Sequence, residues 1–133
     1  MERKKVRSYV LRAGRMSEGQ KRAKYQLADQ YLIPFDPSNK LAFKEIFSND
    51  NKTYLEIGFG MGDFLVEMAI REPHSNFVGI DFSQEGILKL LAQIKNFHLN
   101  NIRVVYGDVR EKAPLLFHDG ELDKVYINLP DPW

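Results

Sequence analysis

Four carboxylates and a run of glycines are the residues of this sequence whose types and spacing could do chemistry. Glu56 stands two residues before Gly58, and Gly60 and Gly62 follow at alternate positions in Glu56-Ile57-Gly58-Phe59-Gly60-Met61-Gly62. Such glycines let a backbone turn tightly and approach a ligand with no Cβ in the way. A carboxylate so close to the turn is a poor neighbour for a pyrophosphate and a good one for a positively charged ligand. The dinucleotide pattern Gly-x-Gly-x-x-Gly would put its third glycine at position 63, which is Asp63 here, so the phosphate reading weakens. A tight turn with no ligand is the alternative. Asp81 closes the apolar Val78-Gly79-Ile80. A carboxylate at such a strand end matches two vicinal ribose hydroxyls, or else it caps the helix that starts at Ser83. Asp108, after Tyr106-Gly107, could accept from the exocyclic amine of an adenine or cap a helical segment.

The fourth carboxylate lies in Asn128-Leu129-Pro130-Asp131-Pro132-Trp133. Two prolines fix the backbone around Asp131 and present it beside the Trp133 ring, a pairing suited to a flat base with polar edges. A proline-rich exit turn with a core tryptophan is the plainer account. His74, His98 and His118 show no ligand spacing and there is no cysteine, so no metal is expected.

These residues need elements to hold them, and the pattern supplies strands alternating with helices. Strands are predicted at 53–58, 77–81, 103–106 and 124–129, with helices at 62–71 and 84–96 between the first three. Ser17 with Gln20 three positions on predicts a capping box that opens a lead-in helix at 21–31. A short amphipathic helix should follow at 41–47, and another at 115–117. The fold class is α/β. Right-handed crossovers put the strands in the order third, second, first, fourth in a parallel sheet. The fourth would be a bare apolar edge, so a further C-terminal portion is expected beyond Trp133. The expected organisation is a basic arm with lead-in helices at 1–50, then a half domain at 51–133 that belongs to the same single domain.

The chain has 133 residues and is 44% hydrophobic, enough for one core. Its net charge of +1 is unevenly spread. Residues 1–24 carry nine Lys or Arg against Glu2 and Glu18, a net of +7, and the remainder is −6. A basic arm on an acidic body suits a polyanion held by the arm, or it is simply a solvated tail. No apolar run approaches a membrane span or a signal-peptide core, so no membrane is expected and the cytoplasm is the default location.

The glycine turn resembles the first motif of S-adenosylmethionine-dependent methyltransferases. Taken with Arg7-Ser8-Tyr9-Val10-Leu11-Arg12-Ala13-Gly14-Arg15, Gly19-Gln20, Gly79-Ile80-Asp81 and Pro130-Asp131-Pro132-Trp133, it makes the chain similar to the bacterial tRNA (guanine-N7-)-methyltransferase family. That resemblance implies a Rossmann-like methyltransferase fold acting on a variable-loop guanine of tRNA. It implies S-adenosylmethionine bound by Glu56, Gly58, Gly60, Gly62, Asp81 and Asp108, with Asp131 catalytic. Arg7, Arg12, Arg15 and Trp133 would then meet the tRNA, and the protein would be a monomer or homodimer. Members of the family continue past the tryptophan with a basic loop and a Thr-Asp segment, so the 133 residues alone are expected to be inactive. Two alternatives stand beside this expectation. One is a methyltransferase acting on an exocyclic amine or a protein amide, suggested by Asn128-Leu129-Pro130, and the other is a noncatalytic module that binds cofactor or RNA.

Overall fold

The computed structural model describes residues 17–33, 40, 42–107 and 122–127. Helix α1 (Glu18–Tyr31) opens on the expected capping box. The Ser17 hydroxyl accepts from the Gln20 N–H at 3.2 Å, and Gln20 Oε1 accepts from the Ser17 N–H at 2.9 Å. The helix therefore begins one turn earlier than the apolar pattern at 21–31 suggests. It runs directly into a strand of two residues, β1 (Leu32–Ile33), that the sequence does not reveal. Two residues show no alternation. What makes them a strand is the pairing of Leu32 with Val104 and of Ile33 with Val105.

After a five-residue helix, α2 (Phe43–Phe47), the predicted rhythm follows as β2 (Thr53–Ile57), α3 (Asp63–Arg71), β3 (Asn76–Asp81), α4 (Gln84–Asn96), β4 (Ile102–Tyr106) and β5 (Lys124–Ile127). All strand pairs are parallel, in the order β1-β4-β3-β2-β5. This is the expected order with β1 added beyond β4. Among the described residues β5 is the outer strand on the other side, and its Val125 and Ile127 are 45% and 65% exposed. The last strand was expected to run to position 129, and its final two residues, like the helix expected at 115–117, lie outside the described residues.

Alternation sorts the side chains onto two faces. Phe77, Ile102 and Val104 join Leu65, Val66 and Ala69 of α3 and Ile87, Leu90, Leu91 and Ile94 of α4 in the larger core. Ala28 and Leu32 bring the lead-in segment into the same core. Ile87, Leu90 and Ile94 recur at helical spacing, all fully buried, and each stabilises the fold by about 1.5–3 kcal/mol relative to exposure. On the opposite face Leu55, Val78, Ile80 and Val105 pack with Phe43 and Phe47 of α2. Arg103 of β4 points to this side, with its guanidinium 5.0 Å from the centre of the Phe47 ring and 5.3 Å from that of Tyr31. It also donates to the carbonyls of Asn100 and Ile102, at 3.1 and 2.8 Å. One cation thus ties the ends of α1 and α2 to the sheet.

The amino ends of the strands are bound by side-chain amides. Asn76 Nδ2 donates to Asn49 Oδ1 at 2.8 Å, and Asn49 Nδ2 donates back to Asn76 Oδ1 at 3.3 Å. The Thr53 N–H donates to Asp123 Oδ2 at 2.8 Å. Asn101 Nδ2 lies 3.0–3.2 Å from the carbonyls of Ala69, Glu72 and Ser75, where it closes the carboxyl end of α3.

Candidate functional site

At the opposite, carboxyl end of the strands, β2 leads into the glycine turn. The Gly58 N–H donates to the Ile80 carbonyl at 2.8 Å, so the turn starts tied to β3. Gly58, Gly60 and Gly62 have φ of 73°, 62° and 86°, the left-handed region where a Cβ is strained. Between them Phe59 folds inward over Gly79, where an added Cβ would lie 2.7 Å from the Phe59 ring. Around Gly60 the position of an absent Cβ meets nothing within 4 Å among the described residues, so the turn is uncrowded on that side. Gly62 ends the turn as the cap of α3, with no side-chain cap hydrogen bond among the described residues.

Asp81, at the end of β3, braces this turn. Its Oδ2 accepts from the Gly60 N–H at 2.8 Å, and its Oδ1 accepts from the N–H of Phe82 at 2.7 Å. It does not cap α4. That role belongs to Ser83, whose hydroxyl accepts from the Gly86 N–H at 3.1 Å. A carboxylate has about four acceptor positions, so among the described residues each Asp81 oxygen keeps one further position.

Glu56 is different. It is only 3% exposed, yet its Oε1 has no hydrogen-bond partner among the described residues. Burial, and secondarily the charge of Asp81, push its carboxyl up from 4.5 to about 7. A buried acceptor without a donor costs about 1–3 kcal/mol, and native folds rarely leave one without a reason.

The structure thus brings Glu56, Gly58, Gly60, Gly62 and Asp81 together at the ends of β2 and β3. The Gly107 N–H donates to the Asp81 carbonyl at 3.1 Å, which anchors the end of β4 at the same edge. Asp108, Asp131, Trp133, Arg7, Arg12 and Arg15 lie outside the described residues.

One residue of the site escapes the motif reading. Gly86, in the first turn of α4, sits so close to the turn that an added Cβ would be 2.1 Å from the Gly60 carbonyl oxygen. A glycine inside a helix that costs about 1 kcal/mol relative to alanine is the signal that could have found it. Phe82 follows Asp81 and is 63% exposed. Among the described residues no cluster of three or more His, Asp or Glu could hold a metal, and no helix is long and apolar enough to cross a membrane.

Comparison with known proteins bears on the same residues. A family model described as "Putative methyltransferase" matches residues 50–133. The chain is 38% identical over 130 residues, 98% of its length and 57% of the relative's, to a tRNA (guanine-N(7)-)-methyltransferase of Francisella philomiragia subsp. philomiragia. It is 40% identical over 131 residues, 98% of its length and 55% of the relative's, to a protein of the same name from Marinobacter nauticus. The chain spans about half the length of the curated relatives it matches. Among solved structures, the 30S ribosomal A1408 methyltransferase from an uncultured bacterium aligns with a TM-score of 0.55 and 22% identity, over 74% of this chain and 46% of that one. That likeness shows the methyltransferase fold, a parallel sheet of the Rossmann-like kind. Because the family match takes in the glycine turn and every strand from β2 onward, the chain belongs to this methyltransferase family.

Proposed function

We propose that this chain belongs to an enzyme that moves a methyl group from S-adenosylmethionine to N7 of a guanine in tRNA, in the cytoplasm. The observation that carries the reading is the identity of 36–40% to tRNA (guanine-N(7)-)-methyltransferases over 98–100% of the chain. The residues at the sheet's carboxyl end fit this cofactor. A buried carboxylate oxygen without a donor suits a cationic ammonium, and an uncrowded glycine backbone admits a nucleoside. When bound, the cofactor supplies an electrophilic methyl on a sulfonium.

Each residue of the chain then has a task. Glu56 accepts from the ammonium, and the free positions on Asp81 accept from ribose hydroxyls while its other positions hold the turn. Asp108 accepts from the adenine amine. Guanine N7 bears a lone pair and no proton, so no general base is needed to make the nucleophile. Asp131 would hold the guanine N1–H and amino hydrogens, orient N7, and stabilise the positive charge that develops on the ring. Trp133 would stack on a flat ring, and Arg7, Arg12 and Arg15 would hold RNA phosphates.

The test uses the whole protein, bulk tRNA and methyl-labelled cofactor, with digestion to nucleosides. Label in 7-methylguanosine is the expected result. Label on an adenine amine or a protein amide, or cofactor binding with no transfer, would overturn the proposal. Neutralising Arg12 and Arg15 together should lower tRNA affinity and flatten its salt dependence by about one unit of slope per lost phosphate contact. An unchanged slope would remove the arm from the tRNA interface.

A further inference from the structure

The two carboxylates at the end of β2 and β3 are supplied very unequally with donors. Asp81 receives two backbone N–H groups, from Gly60 and Phe82. Glu56 lies on the same face of the sheet, nearly inaccessible, and its Oε1 receives no donor among the described residues. Glu56, buried without a donor among the described residues and beside the Asp81 carboxylate, is disfavoured as an anion.

We propose that Glu56 carries a proton for as long as no cation occupies the site, and that loading the cationic cofactor expels it. The inference rests on the cofactor reading given above. The balance is simple: the O–H bond of Glu56 breaks, the proton leaves to solvent, and the ligand ammonium neutralises the carboxylate left behind. No electrons move. Binding therefore releases up to one proton, and affinity weakens as pH falls.

Other charges around Glu56 do not change this assignment. On β2 and β5 the titratable groups on its face are Tyr54, Tyr126 and Lys124, and the Lys124 ammonium lies 5.1 Å over the Tyr126 ring. Helix α3 brings Asp63, 3.9 Å from Lys89 of α4, and Glu67, paired with Arg71 at 2.7 Å. Glu85 of α4 is exposed, and Tyr106 of β4 is half-buried. None of the ion pairs among the described residues includes Glu56. The displacement of its carboxyl to about 7, by burial first and Asp81 second, agrees with the geometry.

The experiment is calorimetric titration of the whole protein with S-adenosylmethionine, in phosphate and in a buffer of high ionisation enthalpy, from pH 5.5 to 7.5. The upper limit stays below the titration of the ligand's own amino group, at about 7.7–8.0. The expected results are release approaching one proton at the acidic end and a Kd that rises about tenfold per pH unit below the midpoint. Glu56→Gln should bind more weakly, with no release. Carbon-13 NMR of the glutamate carboxyls, without cofactor, should show one midpoint near 7 that is absent from the variant. Binding that is independent of pH and releases no proton, or a Glu56 midpoint below about 5, would overturn the proposal and leave the cofactor reading intact. Undiminished release by the folded Glu56→Gln variant would also overturn it, since the proton would then come from elsewhere. No binding at any pH would sink the cofactor reading and the coupling with it.

Discussion

The two ends of the sheet treat buried polar groups in opposite ways. At the amino end Asn49 and Asn76 exchange amide hydrogen bonds, Asp123 accepts from the Thr53 backbone, and Asn101 meets three carbonyls. At the carboxyl end, among the described residues, Glu56 Oε1 has no partner and the Cβ side of Gly60 is uncrowded. Polar groups that satisfy one another hold structure together, whereas a buried group left wanting is suited to something that arrives from outside. The difference marks the carboxyl end as the candidate working end without reference to any motif.

Several substitutions would break or sharpen this contrast. The largest effect is expected from Asn101→Leu, which keeps the volume but strips donors from three carbonyls that close α3. At about 1–3 kcal/mol for each unsatisfied carbonyl, the loss should be about 3 kcal/mol or more by denaturant titration. A loss under about 1 kcal/mol would mean that water replaces the amide easily and that the amino end is less closed than its bonds suggest.

Glu56 should show the reverse behaviour. In the folded chain its carboxyl sits near 7 instead of 4.5, so between these values the folded state holds a proton that the unfolded state has given up. Stability without ligand therefore falls as pH rises through this window and is level above it, by a total on the order of 3 kcal/mol. Glu56→Gln should abolish that slope and be more stable than the parent at pH 8. Equal slopes in thermal melts of the two proteins would show that Glu56 finds a donor in solution.

Gly86→Ala should cost less in stability. Its Cβ would collide with the Gly60 carbonyl, so either α4 or the turn must shift, at about 1–3 kcal/mol, offset by roughly 1 kcal/mol of better helix propensity. Cofactor affinity should suffer more than stability, because the displaced backbone belongs to the site. A variant with intact affinity would separate α4 from the shaping of the turn. The smallest effect, about 1 kcal/mol, is expected for Asn49→Ala, which loses one exchanged amide pair and leaves cofactor binding unchanged. A tenfold loss of cofactor affinity in that variant would contradict the separation of the two ends.

The working end was far more legible in the sequence than the structural end. Glycines at alternate positions, each needed for a positive φ, announce themselves because few other residues tolerate that backbone. The bounds of α4 at Gln84 and Asn96 follow from its local apolar period, whereas its cap does not: the sequence offered Asp81 and the structure uses Ser83. Asn101 could not be recognised, since its three carbonyl partners lie 26 to 32 residues earlier and meet it only once α3 and β4 are packed. The brace from Asp81 to the Gly60 N–H, across 21 residues, was hidden for the same reason. Local patterns report elements and turns, whereas a side chain's choice of partner depends on topology.

The short strand β1 bears on the order in which the molecule can assemble. Among the described residues Leu32 and Ile33 pair with Val104 and Val105, far along the chain, and Tyr54 of β2 pairs with Phe77 and with Lys124. A chain made from its amino end must therefore keep β1 unpaired until β4 has been synthesised. Parallel pairings between distant segments form slowly, and until they do, Ala28 and Leu32 are apolar surface without cover. During synthesis the lead-in segment accordingly appears well before the strand it pairs with, and it gains that partner only once β4 has formed.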